Sequence, residues 1–220
     1  MEPAYSDLHN LRAIDATVNS ARGNKFFDVS ATNSAGHRFP AHAEAPLCST
    51  DTDSWEPPEV QKGDIARALF YMTIRYTGDA TNEPHLRLTD ETNLVTATTN
   101  LMGRFTTLLK WHLADPVDAP ESNRNNAVCW LYQTNRNPFV DNPEWVAAAF
   151  IPPLRAALAG TNVVLSWTND YTPTLRVEAT TSGSGGSWVV ITNAPVLDGG
   201  NWTLVEPVAG VERFYRLRLE

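Results

Sequence analysis

Apolar and polar positions alternate in two different ways along the chain, one helical and one strand-like. Ile65, Leu69, Met72 and Tyr76 recur at helical spacing with Ala66, Phe70 and Ile74 beside them, which predicts a core helix opening at Lys62-Gly63-Asp64. Residues 104–113 predict a second helix, ended by Asp115-Pro116. Asp118 reads as an N-cap with Glu121 as its reciprocal partner, starting a third helix that runs to about residue 132. Residues 135–141 read as a turn-rich linker, and Pro143-Glu144-Trp145 starts a fourth helix to about Phe150. Nearer the start, residues 15–22 fit a short helix closed by Gly23. Residues 31–61, rich in Pro, Ser, Thr, Asn and Asp, predict an irregular surface excursion.

After Pro152-Pro153 the pattern changes. Residues 163–167, 175–179, 188–191 and 214–219 are short runs of β-branched and aromatic residues separated by Gly-, Asn- and Pro-rich turns. The predicted fold class is therefore α+β, with a mainly helical domain over residues 1–152 followed by a small all-β module over residues 160–220. The run 182–187 reads as a hairpin-scale loop. Trp167, Trp188 and Trp202, at alternating strand positions, are expected in the core of that module rather than on a sugar-binding face.

Composition narrows the function classes. With 220 residues, 42% apolar and 19% charged, the chain is neither disordered nor a coiled coil. No apolar run approaches the roughly 20 residues that span a bilayer. A net charge of −8 argues against coating nucleic acid by bulk attraction. That charge is uneven, however: residues 1–40 balance, while residues 41–150 hold 8 Lys plus Arg against 15 Asp plus Glu. A neutral phosphate site can thus sit on an acidic body. Cys48 and Cys129 fit no zinc spacing and leave a disulfide or two free thiols equally open. The five histidines form no metal-ligand spacing, and neither a Gly-rich phosphate loop nor a Gly-x-Ser-x-Gly elbow is present.

Three constellations stand out. They are Asp7-Leu8-His9-Asn10-Leu11 followed by residues 18–25; Trp55-Glu56-Pro57-Pro58 with residues 62–71; and Leu109-Lys110-Trp111-His112 with Asp115-Pro116 and residues 133–141. In order and spacing, from about residue 5 to about 150, the chain resembles the bacterial endonuclease I family. That resemblance implies part of a ββα-metal (His-Me finger) site, secreted or periplasmic location, and metal-dependent cleavage of DNA, often also RNA, without much sequence preference. Mg²⁺ is the implied ion, with Ca²⁺ or Mn²⁺ as substitutes, and nucleic acid the implied partner.

Asn19, twelve positions after Asp7, matches the family asparagine that binds the metal, and an amide oxygen is a suitable hard, neutral ligand. Arg22, Asn24 and Lys25 follow it and are implied to lie near the nucleic-acid backbone, with Arg12 and Arg38 as further phosphate contacts. The family's adjacent Glu-His pair has no match: Glu2 has no histidine beside it, and His9 occupies a different family position and is expected to bond backbone. No catalytic residue is therefore assigned. The general-base histidine is missing, which implies an N-terminally truncated and impaired enzyme. Met1 is followed by neither a basic segment nor an apolar one, so a signal peptide is expected only in a longer form. Two rival readings remain: a catalytically silent nucleic-acid-binding remnant, and a secreted binding or adhesion protein acting through the β module. Elsewhere, Asp64 and Arg67 are expected to pair along a helix, Lys110, Trp111 and His112 to pack between helices, and Arg136, Asn137 and Asp141 to fix a turn.

Overall fold

The apolar stripe through Leu69 and Met72 forms the longest helix, α2 (Glu59–Arg75). The computed structural model describes residues 3–81, 83–91, 100–168, 175–183, 186–210 and 212–219; Glu2 and part of the 182–187 loop lie outside these. Helix α2 starts earlier than Lys62, because extended Pro58 sits in the N-cap position with its φ already near helical values. Asp64, expected in the opening turn, therefore lies in the body of the helix.

Helix α3 (Phe105–Ala114) packs along α2, burying Phe105, Leu108, Leu109 and Trp111 against Ala66, Leu69, Phe70 and Met72. The Phe70 ring meets Phe105, His112 and Phe139 edge-on at 6.1, 6.1 and 6.2 Å. Gly63 makes the close approach possible: a Cβ there would overlap the Asp115 carbonyl, while its own N–H donates to Asp115 Oδ2 at 2.8 Å. Trp111 and His112 are buried as expected, but Lys110 is exposed and plays no part in the packing.

Asp118 caps α4 (Ala119–Ala127), accepting from the Glu121 N–H at 2.8 Å. Glu121 does not reach back to complete the box. Its carboxylate turns inward to the fully buried Arg67, which donates Nε to Oε1 at 2.7 Å and Nη2 to Oε2 at 2.5 Å. The expected Asp64 partner of Arg67 is secondary, at 3.5 Å. The reason is desolvation: a guanidinium shut away from water needs a bidentate carboxylate, and a helix-surface aspartate supplies less. Beyond α4 the chain widens into a π-helix over Val128–Gln133, then forms α5 (Pro138–Asp141) within the expected linker and α6 (Trp145–Phe150). Asn137 caps α5 and Arg136 chelates Asp141, so these residues do fix the turn.

The stretch expected to be irregular contains β2 (Ser49–Thr50) and β3 (Ser54–Glu56). With β1 (Phe26–Phe27) they form a sheet ordered β1-β3-β2, β1 and β3 running parallel. On it lies α1 (Ala16–Arg22). Cys48 and Cys129 are both free thiols. Among the described residues no helix is long and apolar enough to cross a membrane.

The chain divides into two compact units, Met1–Val146 and Ala147–Glu220. The second is an antiparallel sandwich. One sheet runs β4 (Arg155–Ala159), β5 (Asn162–Thr168), β9 (Asn201–Pro207), β8 (Val196–Asp198); the other runs β10 (Phe214–Leu219), β6 (Leu175–Thr180), β7 (Val189–Val190). Leu165, Trp167, Val177 and Leu204 form the centre, with Trp202, Tyr215 and Leu217 packed around them. Trp188 departs from expectation, since its ring lies under the Arg216 guanidinium.

His112 carries a pH-dependent consequence. Burial first, and the Arg67 charge second, push its pKa down to about 4, and Nδ1 has no hydrogen-bond partner among the described residues. From about pH 6.5 down to about 4 the unfolded chain binds a proton there that the folded chain refuses, so stability falls on acidification through that window. Asp64, pushed up to about 7 chiefly by burial, acts in the opposite sense across the same range. Denaturation midpoints of wild type minus His112→Asn at pH 7 and pH 4.5 isolate the histidine. The expected difference is on the order of 2–3 kcal/mol; equal pH dependence in both proteins would refute it.

Candidate functional site

Helix α1 is short and held at both ends. The Asp15 carboxylate accepts from Thr17 N at 2.8 Å, Val18 N at 3.1 Å and Thr17 Oγ1 at 2.5 Å; the bond from the Thr17 hydroxyl leads in holding its pKa below the ordinary value. Gly23, at φ +55°, ends the helix with its N–H on the Asn19 carbonyl. Val18 anchors the inner face against Trp55 and Ala41. One residue on, about 100° round the helix, Asn19 faces solvent, and its side-chain amide makes no hydrogen bond among the described residues.

The cations after Asn19 differ in their engagement. Arg22 lies over the Phe27 ring at 5.1 Å and reaches the Lys25 carbonyl at 3.4 Å, with no carboxylate partner among the described residues; burial lowers its pKa. Lys25 donates to Thr50 Oγ1 and the Asp51 carbonyl, each at 2.7 Å. Burial and the Arg38 charge lower its pKa. Arg38 and Thr50 pair through both backbone bonds, which brings Arg38 to the same side. Asn24 is exposed. Arg22, Lys25 and Arg38 are thus brought together beside α1. Arg12 is not: it lies 4.0 Å from Asp64 on α2.

Sequence reasoning missed a buried polar hub at Asp7. Its Oδ2 accepts from the hydroxyls of Tyr71 and Tyr76, both at 2.8 Å, and its Oδ1 from Gln133 Nε2 at 2.8 Å and His9 N at 2.9 Å. Burial alone would raise the Asp7 pKa, but these four donors outweigh it and hold the carboxylate ionised, while burial and that anion push both tyrosines up. Asn135 Nδ2 donates to the Tyr71 hydroxyl at 2.6 Å, and its carbonyl meets His9 Nε2 at 3.2 Å, so His9 does bond backbone. Arg124 ties down the Leu8 and Leu11 carbonyls. The three constellations of the sequence therefore meet in a scaffold that fixes the loop entering α1. The signal was their recurrence in order, which marks contact as readily as chemistry.

A hard divalent ion tests α1 most directly. The exposed Asn19 oxygen suits such an ion as a single neutral ligand. Among the described residues no three His, Cys, Asp or Glu side chains converge on a common point. Asn19 would hold such an ion as one ligand of several, and the ion would supply positive charge at this end of α1.

The model of the Endonuclease I family matches residues 1–144, which include the capped helix, the hub and the three constellations. The chain belongs to the endonuclease I family. Two curated relatives are extracellular ribonucleases: that of Bacillus amyloliquefaciens is 47% identical over 140 residues, and that of Bacillus subtilis strain 168 is 46% identical over 140 residues. In each case the match covers 64% of this chain and 45% of the relative. This endonuclease I chain thus spans somewhat less than half the length of the curated relatives it matches. No solved structure matches it. The family match ends at residue 144, so the β unit of this endonuclease I chain lies outside it.

Proposed function

We propose that this endonuclease I chain is an extracellular, divalent-metal-dependent nuclease that hydrolyses phosphodiester bonds in both RNA and DNA with little sequence preference. The observation that carries the reading is α1: an exposed side-chain amide at Asn19 followed within one turn by Arg22, neither with a side-chain partner of opposite character among the described residues. In this reading Asn19 is one ligand of the ion, which supplies positive charge to the scissile phosphate. Arg22 attracts the neighbouring phosphate. Asn24 and Lys25 border it, with Lys25 fixed on Thr50 as a rigid contact. Arg12, turned to Asp64, contributes long-range attraction rather than direct contact. The relatives' name motivates RNA as a substrate, and phosphate-directed groups at α1 motivate tolerance of both sugars.

The test is incubation of the full chain with plasmid DNA and, separately, single-stranded RNA, each with Mg²⁺, Ca²⁺, Mn²⁺ or EDTA. Degradation of both substrates, abolished by EDTA and restored by a divalent cation, is the expected result. Cleavage indifferent to EDTA would overturn the metal dependence, and cleavage of RNA alone would overturn the shared-substrate reading. Salt-dependent binding with no cleavage under any ion would assign the chain to the silent binding class instead.

A further inference from the structure

The outer face of the β10-β6-β7 sheet carries an arrangement the nuclease reading does not use. Strand alternation sends Leu175, Val177 and Ala179 of β6, with Tyr215 and Leu217 of β10, toward the sandwich core. The opposite face receives Arg176, Glu178 and Thr180 from β6 and Phe214, Arg216 and Arg218 from β10. Arg216 stands directly across from Glu178, and Arg218 directly across from Arg176.

Glu178 is 2% exposed although it points away from the core, because three arginines cover it. Arg216 donates Nε and Nη2 to its Oε2 at 2.9 and 2.7 Å; Arg176 donates Nε to Oε1 at 3.1 Å; Arg218 Nη1 lies 3.7 Å from Oε1. Among the described residues of this face, one carboxylate thus meets three guanidiniums. No other Asp or Glu occurs in β6, β7 or β10. Like charges directly opposed across an antiparallel pair are unfavourable unless an anion is shared, and among the described residues of this face Glu178 is the anion that Arg176, Arg216 and Arg218 share.

The patch is also pre-shaped. The Arg216 guanidinium lies 4.1 Å from the centre of the Trp188 ring, and its bond to Glu178 fixes its rotamer. Arg218 is 57% exposed at its side chain, and Arg176 and Arg216 keep Nη1 free of any hydrogen bond among the described residues. Phe214 is partly exposed on the same face. Along β10 the two arginines are two residues apart, about 7 Å, on the scale of one nucleotide step. Arginines interleaved with aromatic rings suit a phosphodiester strand, whose charges repeat and whose bases present flat faces.

From this arrangement we infer that Arg176, Arg216 and Arg218, with Trp188, form a second nucleic-acid-binding face that takes the phosphodiester backbone of a single strand and tethers substrate to the nuclease. The inference rests on the nuclease reading for its choice of polyanion. A tethered strand meets α1 at a raised effective concentration, so long substrates gain in KM and short ones do not.

The experiment uses the full chain in EDTA, with a fluorescent single-stranded oligodeoxynucleotide of about 30 nucleotides, longer than the roughly 4–16-nucleotide footprint of one binding module. Anisotropy is followed against salt for wild type and for Arg176→Gln/Arg218→Gln, which leaves Glu178 paired with Arg216. The expected result is roughly tenfold weaker binding and a log K against log salt slope shallower by about 1.4, for two lost single-strand phosphate contacts. Should that double variant unfold by circular dichroism, Arg218→Gln alone, at the exposed arginine farthest from Glu178, is expected to lower the slope by about 0.7. Unchanged affinity and slope in a folded variant would overturn the inference, as would variants that lose binding to a pectin-like polycarboxylate or anionic vesicles while keeping oligonucleotide binding. With Mg²⁺ added, the variant should degrade a tetranucleotide as wild type does and show a raised KM on long strands. Binding in EDTA that responds to the arginines while no substrate is ever cleaved would leave this face standing and overturn only the nuclease reading.

Discussion

Glu121→Ala is expected to cost about 3–5 kcal/mol, the largest stability loss from any single side chain in the first unit. Arg67 has no solvent exposure, and Glu121 supplies both oxygens to it. What remains after the substitution is one bond to the Asp115 carbonyl at 2.8 Å and a distant Asp64, too little for a buried guanidinium. The damage spreads because Asn137 Nδ2 donates to the Arg67 carbonyl at 2.9 Å, so α2, α4 and the α5 cap share the same joint. Against a total stability of about 5–15 kcal/mol, such a loss populates the unfolded state visibly. Hydrogen exchange of the α2 amides in the full chain measures it. The paired replacement Arg67→Met/Glu121→Leu should recover most of the loss, since it removes the stranded charge as well as its partner. A single-variant loss below about 1 kcal/mol would show that the ion pair is dispensable.

For activity, the largest effect is expected at Asn19. Its side chain is exposed and bonds to nothing described, so Asn19→Ala should alter stability by less than about 0.5 kcal/mol. Under the proposed role, in which Asn19 holds a divalent ion against phosphate, the substitution should nevertheless lower kcat by about 100-fold or more, several kcal/mol of lost charge stabilisation. Asn19→Asp keeps an oxygen ligand and adds charge, and is expected to need less Mg²⁺ for half-maximal rate than Asn19→Ala. Asn24→Ala, in the exposed turn that follows α1, serves as the control with near-wild-type Mg²⁺ dependence. Metal titrations of the three variants beside wild type check the assignment, and an Asn19→Ala enzyme with unchanged kcat and unchanged Mg²⁺ requirement would end it.

What the sequence disclosed was local. Gly23 and Asp118 each act on atoms within four residues, and each cap is where the pattern put it; Asp15, read as the first helical residue, is the N-cap instead. Glu121 shows where local reading stops. The same residue satisfies a capping pattern and a charge 54 positions away, and desolvation of Arg67 decides between them. The two- and three-residue strands at 49–50 and 54–56 are too short to show alternation, and the parallel β1-β3 pair joins segments no local pattern connects. The π-helix at 128–133 interrupts an expected continuous helix and leaves Trp130, Leu131 and Tyr132 exposed, which a regular helical period would not. Trp188 was read as core because alternation gives two faces without saying which is inside; the Arg216 stack places it outside. At the candidate site, Asn19 was visible only through family resemblance. Its exposure and lack of a partner are properties of the cap at Asp15 and the anchor at Val18, which one position in a string does not encode.

The Asp7 hub also sets a timetable. Its bond to Gln133 joins positions 126 residues apart, and its bonds to Tyr71 and Tyr76 span 64 and 69. A ribosome or export channel delivers residues in order, so Asp7 emerges before its donors and waits for the last of them, Gln133. Until then the loop leading to α1 has nothing to close on, and closing a ring of that size is entropically slow. Within this unit the segment that bears Asn19 is therefore made before Gln133 and locked only after it, and the unit gains its final shape once Gln133 has been delivered.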